Sequence, residues 1–205
     1  MNITVVNKTP TPTSSSSSSN NNSSSSSQTD SIENENPNPK KYKLNWHDEF
    51  DGNSLNMNYW SYQEGDGSQY GIPGWGNSEQ QYYSQDNVSV NNGALKITAR
   101  RENKGGKAYT SARIRTANKV AFTYGRIEAK IKLPPYQGLW PAFWMLPDTS
   151  TYGNWPNSGE IDIMEAKGRL PNETSAAIHF ADNNNQHKYN TGTCDLNQTL
   201  SNNMK

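Results

Sequence analysis

Three carboxylates, Glu160, Asp162 and Glu165, stand within six residues of the stretch Ser158-Gly159-Glu160-Ile161-Asp162-Ile163-Met164-Glu165-Ala166. The rest of that stretch is largely apolar, and burying unpaired charge is costly, so three acids there call for a purpose. In a regular strand Glu160, Asp162 and Met164 share one face, while Ile161, Ile163 and Glu165 share the other. One extra residue, a β-bulge around Ile163-Met164, would return Glu165 to the face of its fellow acids and leave isoleucines to fill the core behind. Acids grouped in this way suit chemistry at an acetal. One carboxyl protonates the departing oxygen, and a second attacks the anomeric carbon or activates water. Crowding raises at least one pKa by like-charge repulsion, and the group titrates as a coupled set. By itself the segment leaves two other readings open, a solvated strand face and a Ca²⁺ site built from carboxylates.

A second constellation precedes it. Trp140 and Trp144, in Gly138-Leu139-Trp140-Pro141-Ala142-Phe143-Trp144-Met145-Leu146-Pro147, are four apart, which on a strand sets both indoles on one face and Phe143 and Met145 on the other. An indole offers a flat apolar surface and one N–H, a match for a sugar's C–H face and hydroxyls. Two core tryptophans would have the same spacing. Pro141 removes a ladder donor, so this strand should be bulged or locally unpaired. Trp75-Gly76-Asn77-Ser78-Glu79-Gln80-Gln81-Tyr82-Tyr83 adds a cluster of aromatic and amide groups, either a binding loop or an ordered surface loop.

The elements that must position these groups read as β throughout. Ile127, Ala129, Ile131 and Leu133 alternate with Arg126, Glu128, Lys130 and Lys132, the period of a half-buried strand. Val88 and Val90 lead through Asn91-Asn92-Gly93 into Leu95, Ile97 and Ala99, a hairpin signature. Further strands are expected at 112–116, 120–124, 138–146, 160–166 and 175–180. After Phe180 the chain turns polar with no clear final strand. No window carries helical periodicity, and Gly, Pro, Asn and Asp punctuate the gaps, which together imply antiparallel sheets in a sandwich or barrel.

Composition divides the 205 residues unevenly. Residues 1–41 form a linker rich in Ser, Asn and Pro, with an unbroken run from Ser14 to Ser19 and too little apolar surface to offset the entropy of ordering it. The folded part is expected from 42 to 205, long enough for a sizeable core. Nineteen Lys and Arg balance nineteen Asp and Glu without a basic stripe, which argues against nucleic acid and an anionic membrane surface as partners. No apolar run reaches the ~18 residues of a membrane helix. Met1 to Lys8 lacks the long apolar stretch of a signal peptide. A single cysteine, Cys194, excludes an internal disulfide framework.

Taken together, these motifs resemble glycoside hydrolase family 16. Gly159-Glu160-Ile161-Asp162-Ile163-Met164-Glu165 is similar to its active-site signature, and Leu139 to Pro147 to the segment that laminarinase-type members carry before it. Trp46-His47-Asp48-Glu49-Phe50-Asp51-Gly52, Gly76 to Tyr83 and Tyr124 to Pro134 follow the family's order, so the resemblance runs from Trp46 to Phe180. It implies an all-β, concanavalin A-like jelly-roll sandwich of two antiparallel sheets and hydrolysis of β-glucan with retention. Glu160 would be the nucleophile, Glu165 the general acid/base, and Asp162 the residue that orients Glu160. Trp140, Trp144, Asn77, Glu79, Arg113 and His179 would contact sugar, although a structural role for His179 stays open. Two residues between Asp162 and Glu165 resemble laminarinases, and also agarases and carrageenases, whereas one resembles lichenases. With Trp140 to Leu146, this favours an endo-acting β-1,3- or mixed β-1,3/1,4-glucanase. The chemistry requires no cofactor. Glu49 stands where some members bind a structural Ca²⁺, whose partner ligand would fall beyond Lys205.

The resemblance further implies an extracellular monomer, and several more strands would follow Lys205, so the chain is expected to hold the N-terminal portion of the domain. Ser78 departs from an Asn frequent in the family's Gly-Asn-Asn-Glu segment. Rival readings are a β-glucan-binding protein without catalysis, an enzyme for another polysaccharide, and an inactive fragment.

Overall fold

The computed structural model describes residues 2–6 and 44–196. Among these, strands dominate and helical structure is confined to three short 3₁₀ turns. The chain runs β1 (Asn2–Val6), β2 (Ser61–Gln63), β3 (Gln81–Tyr83), β4 (Val88–Asn91), β5 (Ala94–Thr98) and β6 (Tyr109–Ser111). It continues through β7 (Arg113–Arg115), β8 (Lys130–Lys132), β9 (Ala142–Met145), β10 (Glu160–Ala166), β11 (Glu173–Ala181) and β12 (His187–Asp195). One four-stranded sheet has the order β4-β5-β1-β8 and a second the order β12-β11-β10-β9, both antiparallel. Two small pairs complete the arrangement, β2 with β7 antiparallel and β3 with β6 parallel. This is the all-β jelly-roll sandwich expected, with the parallel β3–β6 pair as an addition. Asn2–Val6 forms β1 inside the span 1–41 read as linker, and the rest of that span lies outside the described residues.

The β4–β5 hairpin shows why the local sequence folds as it does. Asn91 pairs with Ala94, and the two residues between them, Asn92 and Gly93, have φ of 51° and 67°. Positive φ at both central positions is the type I′ geometry whose twist matches the flanking strands. The hairpin delivers Val90 and Leu95 to a core with Phe50 and Leu55, on which Trp60, Tyr62, Val88 and Ile114 pack. A second cluster joins the two large sheets. Leu133 meets Ala166, with Ile131 and Met164 against them. The alternation of residues 126–133 holds in burial, since Ile127, Ala129, Ile131 and Leu133 are sheltered while their charged neighbours are exposed. Only Lys130–Lys132 of that stretch is paired as a strand.

Three expectations need correction. Residues 120–124 form no strand; Phe122 packs its ring against Trp46, and Tyr124 is exposed. The polar chain after Phe180 does form a strand, β12, paired with β11 along its whole length. Backbone hydrogen bonds to a preformed neighbour suffice there without an apolar face. Finally, Ile161 does not fill a core, being 49% exposed, and its partner across the ladder, Ile178, is 45% exposed as well. The facing sheet meets this one around Leu133 and Ala166, and no described strand covers those isoleucines.

Candidate active site

The bulge in β10 is present. Asp162 pairs with Ala177 and Glu165 with Ser175, so three steps along β10 face two along β11. On the other side, Asp162 pairs with Trp144 and Met164 with Phe143, two steps against one. The extra residue turns Glu165 back to the face of Glu160 and Asp162, and Met164 joins the inter-sheet core. Past the bulge the neighbouring chain is held by Ala166 N–H to the Pro141 carbonyl at 3.0 Å and Gly168 N–H to that of Leu139 at 2.9 Å. Gly168 is needed here, because a Cβ would lie 1.7 Å from the Tyr136 carbonyl oxygen. As Pro141 demands, regular strand begins only at Ala142.

Each acid has its own partner. Trp140 Nε1 donates to Glu165 Oε1 at 2.8 Å, and Trp155 Nε1 donates to Glu160 Oε2 at 2.6 Å. Both indoles are about half exposed, so their faces stay open while their N–H groups hold the carboxylates. Trp155 is presented by a tight loop in which Ser158 Oγ donates to the Gly153 carbonyl at 2.6 Å and accepts from Tyr152 N–H at 3.1 Å. Asp162 is buried, hydrogen-bonds with Glu160, and meets His179 Nε2 at 3.0 Å.

Burial, and then the charge of Glu160, push the Asp162 carboxyl up from the ordinary 3.8 to about 6, while His179 pulls the other way. Glu165 is also raised, by burial first and the Asp162 charge second, with the Trp140 N–H opposing. Both carboxyls therefore hold their protons to a higher pH than they would in open water.

Behind the acids, Arg113 lies between two indoles, its Cζ 4.6 Å from the Trp75 ring and 4.6 Å from that of Trp144. Its Nε donates to Gln63 Oε1 at 2.8 Å. Burial lowers the Arg113 pKa, while the carboxylates of Glu79 and Glu160 favour its charged form. Glu79 accepts from the Tyr83 hydroxyl and from Gln81 Nε2, and Asn77 Nδ2 reaches it from the exposed rim at 3.4 Å. Ser78 occupies the left-handed region at φ 58°, a conformation that Asn adopts more readily than Ser. Among the described residues no group of three or more His, Cys, Asp and Glu side chains could hold a metal ion, and Glu49 pairs with His47 at 3.3 Å.

Trp140, Trp144, Glu160, Asp162, Glu165 and His179 thus share one sheet face, and Arg113, Glu79 and Asn77 follow outward from it. Two residues of this face carry no motif of their own. Trp155 could have been suspected from its place five residues before Glu160. His187, whose Nε2 lies 2.8 Å from His179 Nδ1, could have been found from the period-two run His187, Tyr189, Thr191 and Thr193.

The model of the family described as glycosyl hydrolases family 16 matches residues 75–202. The chain is 44% identical over 148 residues to glucan endo-1,3-beta-glucosidase A1 of Niallia circulans, covering 67% of this chain and 22% of that protein. It is 45% identical over 144 residues to a beta-glucanase of Rhodothermus marinus, covering 67% and 48%. The chain thus spans less than half the length of both relatives. The laminarinase catalytic domain of Thermotoga maritima superposes with a TM-score of 0.70 at 37% identity, over 78% of this chain and 66% of that one. With the family model matching more than half of the chain and a solved laminarinase domain superposing on its fold, this chain belongs to glycosyl hydrolases family 16.

Proposed function

We propose that this chain carries the catalytic face of a retaining, endo-acting glucanase for β-1,3 or mixed β-1,3/1,4 bonds. The observation that carries the reading is the bulge in β10. It sets Glu165 beside Asp162 and Glu160 and leaves each glutamate with a separate indole donor. Glu160 attacks the anomeric carbon, and Glu165, whose burial favours its protonated form, gives its proton to the departing oxygen. Water then cleaves the glycosyl-enzyme ester, with Glu165 now taking the proton. Asp162 holds Glu160 in line and, when protonated, donates to it, easing its departure in the second step. Trp140 and Trp144 support the sugar, and Arg113, Glu79, Asn77 and His179 bound the cleft. The substrate is a polymer met outside the cell, and the chain acts as a monomer without a cofactor.

The test is reducing-sugar release from laminarin and lichenan by the full chain, with Glu160→Gln as control. Release that disappears in the variant supports the reading, and the preferred polymer gives the linkage class. A folded chain that binds either glucan but releases no new reducing ends would overturn catalysis in favour of a binding module.

A further inference from the structure

The histidine pair beside Asp162 reaches further into the site than one hydrogen bond. His179 on β11 pairs in register with Glu160, and His187 on β12 lies one diagonal step away, opposite Ala181. The His179 and His187 rings are inclined by 17° with centroids 5.1 Å apart, and Nδ1 of one is 2.8 Å from Nε2 of the other. Such values describe two rings meeting edge to edge through a hydrogen bond. The same His187 ring packs 4.6 Å from Trp155, the donor to Glu160. His187 therefore touches both arms of the Glu160–Asp162 pair, one through His179 and one through Trp155.

The donor sequence follows from the chemistry of the groups. An ionised Asp162 only accepts, so His179 Nε2 must carry the proton in their contact at 3.0 Å. A neutral His179 then offers only a lone pair at Nδ1, and His187 Nε2 must supply the proton between the rings. The two contacts therefore favour the same tautomer, since with the other one two acceptors would face each other across the Asp162 contact and two donors between the rings.

We infer that His187 is a positioning residue: by donating Nε2–H to His179 Nδ1 it fixes the tautomer through which His179 holds Asp162 against Glu160. This rests on the proposed glucanase reading for its kinetic consequences, but not for its structural ones. The charged and titratable groups around the pair are Glu160, Asp162 and Glu165 on β10, Tyr189 on β12, Lys167 just beyond β10, and Arg113 on β7 acting on Glu160. None of the others meets His179 Nδ1 in a described hydrogen bond, so replacing His187 isolates the effect.

The experiment uses the full chain labelled with ¹⁵N-histidine and long-range ¹H–¹⁵N spectra at neutral pH, which report which ring nitrogen carries the proton. His179 should show a protonated Nε2 and an unprotonated Nδ1. His187→Phe, which keeps a ring against Trp155 but has no N–H, should blur that signature into a mixture of tautomers, and His187→Gln, which keeps an N–H, should restore it. On laminarin the Phe variant should lose kcat about tenfold with KM changed less than about twofold, and its acid limb should move up by about one pH unit. An Nδ1–H on His179 in the unaltered protein, both nitrogens protonated there, or an unchanged signature in His187→Phe overturns the inference. These spectra need no turnover, so an inactive chain would fail the glucanase reading while leaving the tautomer to be decided on its own.

Discussion

Replacing Asp162 should change how stability depends on pH, not merely its level. The folded carboxyl titrates at about 6 against an ordinary 3.8, because burial and the Glu160 charge disfavour its ionised form. The folded state thus binds this proton more tightly than the unfolded one. The stabilisation is fully present below about pH 4 and is lost as pH rises through 6. At 1.36 kcal/mol per unit, the shift corresponds to about 3 kcal/mol, and solvent reaching the cleft through the partly open His179 side reduces this to roughly 2 kcal/mol. Asp162→Asn keeps the shape and one hydrogen bond but cannot ionise. Urea unfolding of both proteins between pH 4 and 8 gives two curves whose difference reports Asp162 together with its coupling to Glu160 and Glu165. Asp66, Asp86 and Asp182, held low by their hydrogen bonds, work in the opposite sense but are common to both proteins and cancel. The unaltered chain should lose about 2 kcal/mol relative to Asp162→Asn between pH 4 and 7. A difference flat within about 0.5 kcal/mol, or one rising with pH, would refute the account of Asp162 as a buried acid crowded by Glu160.

Further outcomes follow from other contacts. Trp140→Phe removes the N–H that holds the Glu165 pKa down, so the alkaline limb of the rate profile on laminarin should move up. A downward movement would contradict the contact. Leu95, 1% exposed at the centre of its core cluster, should cost about 3 kcal/mol when cut to Ala, seen as a lower urea midpoint with unchanged slope. Ser78→Gly, at an exposed residue with φ 58°, should raise stability by about 0.5–1 kcal/mol, and thermal unfolding would show it directly.

The parts of this protein legible from sequence are those in which local pattern and chemistry coincide. Period-two alternation marks the strands, positive φ explains Asn92-Gly93, and the number of residues between Asp162 and Glu165 already demands a bulge if three acids are to share a face. Pro141 likewise announces where regular pairing must stop. Other features depended on neighbours that no local pattern reveals. Residues 120–124 have strand-like composition but no described partner, whereas 187–195 have little apolar character yet gain a full ladder from β11. The guanidinium held between Trp75 and Trp144 joins segments far apart in the chain, while the indole that holds Glu160 and the imidazole pair behind Asp162 depend on how a loop folds over β10 and how the β11–β12 hairpin registers. Sequence alone put Glu160 and Asp162 on one face, because side-chain direction along a regular strand is a local property, whereas Glu165 joins them only through the register shift against β9 and β11. Which groups hold, protonate and orient those acids was decided by tertiary structure, because hydrogen bonds and desolvation depend on distances between strands.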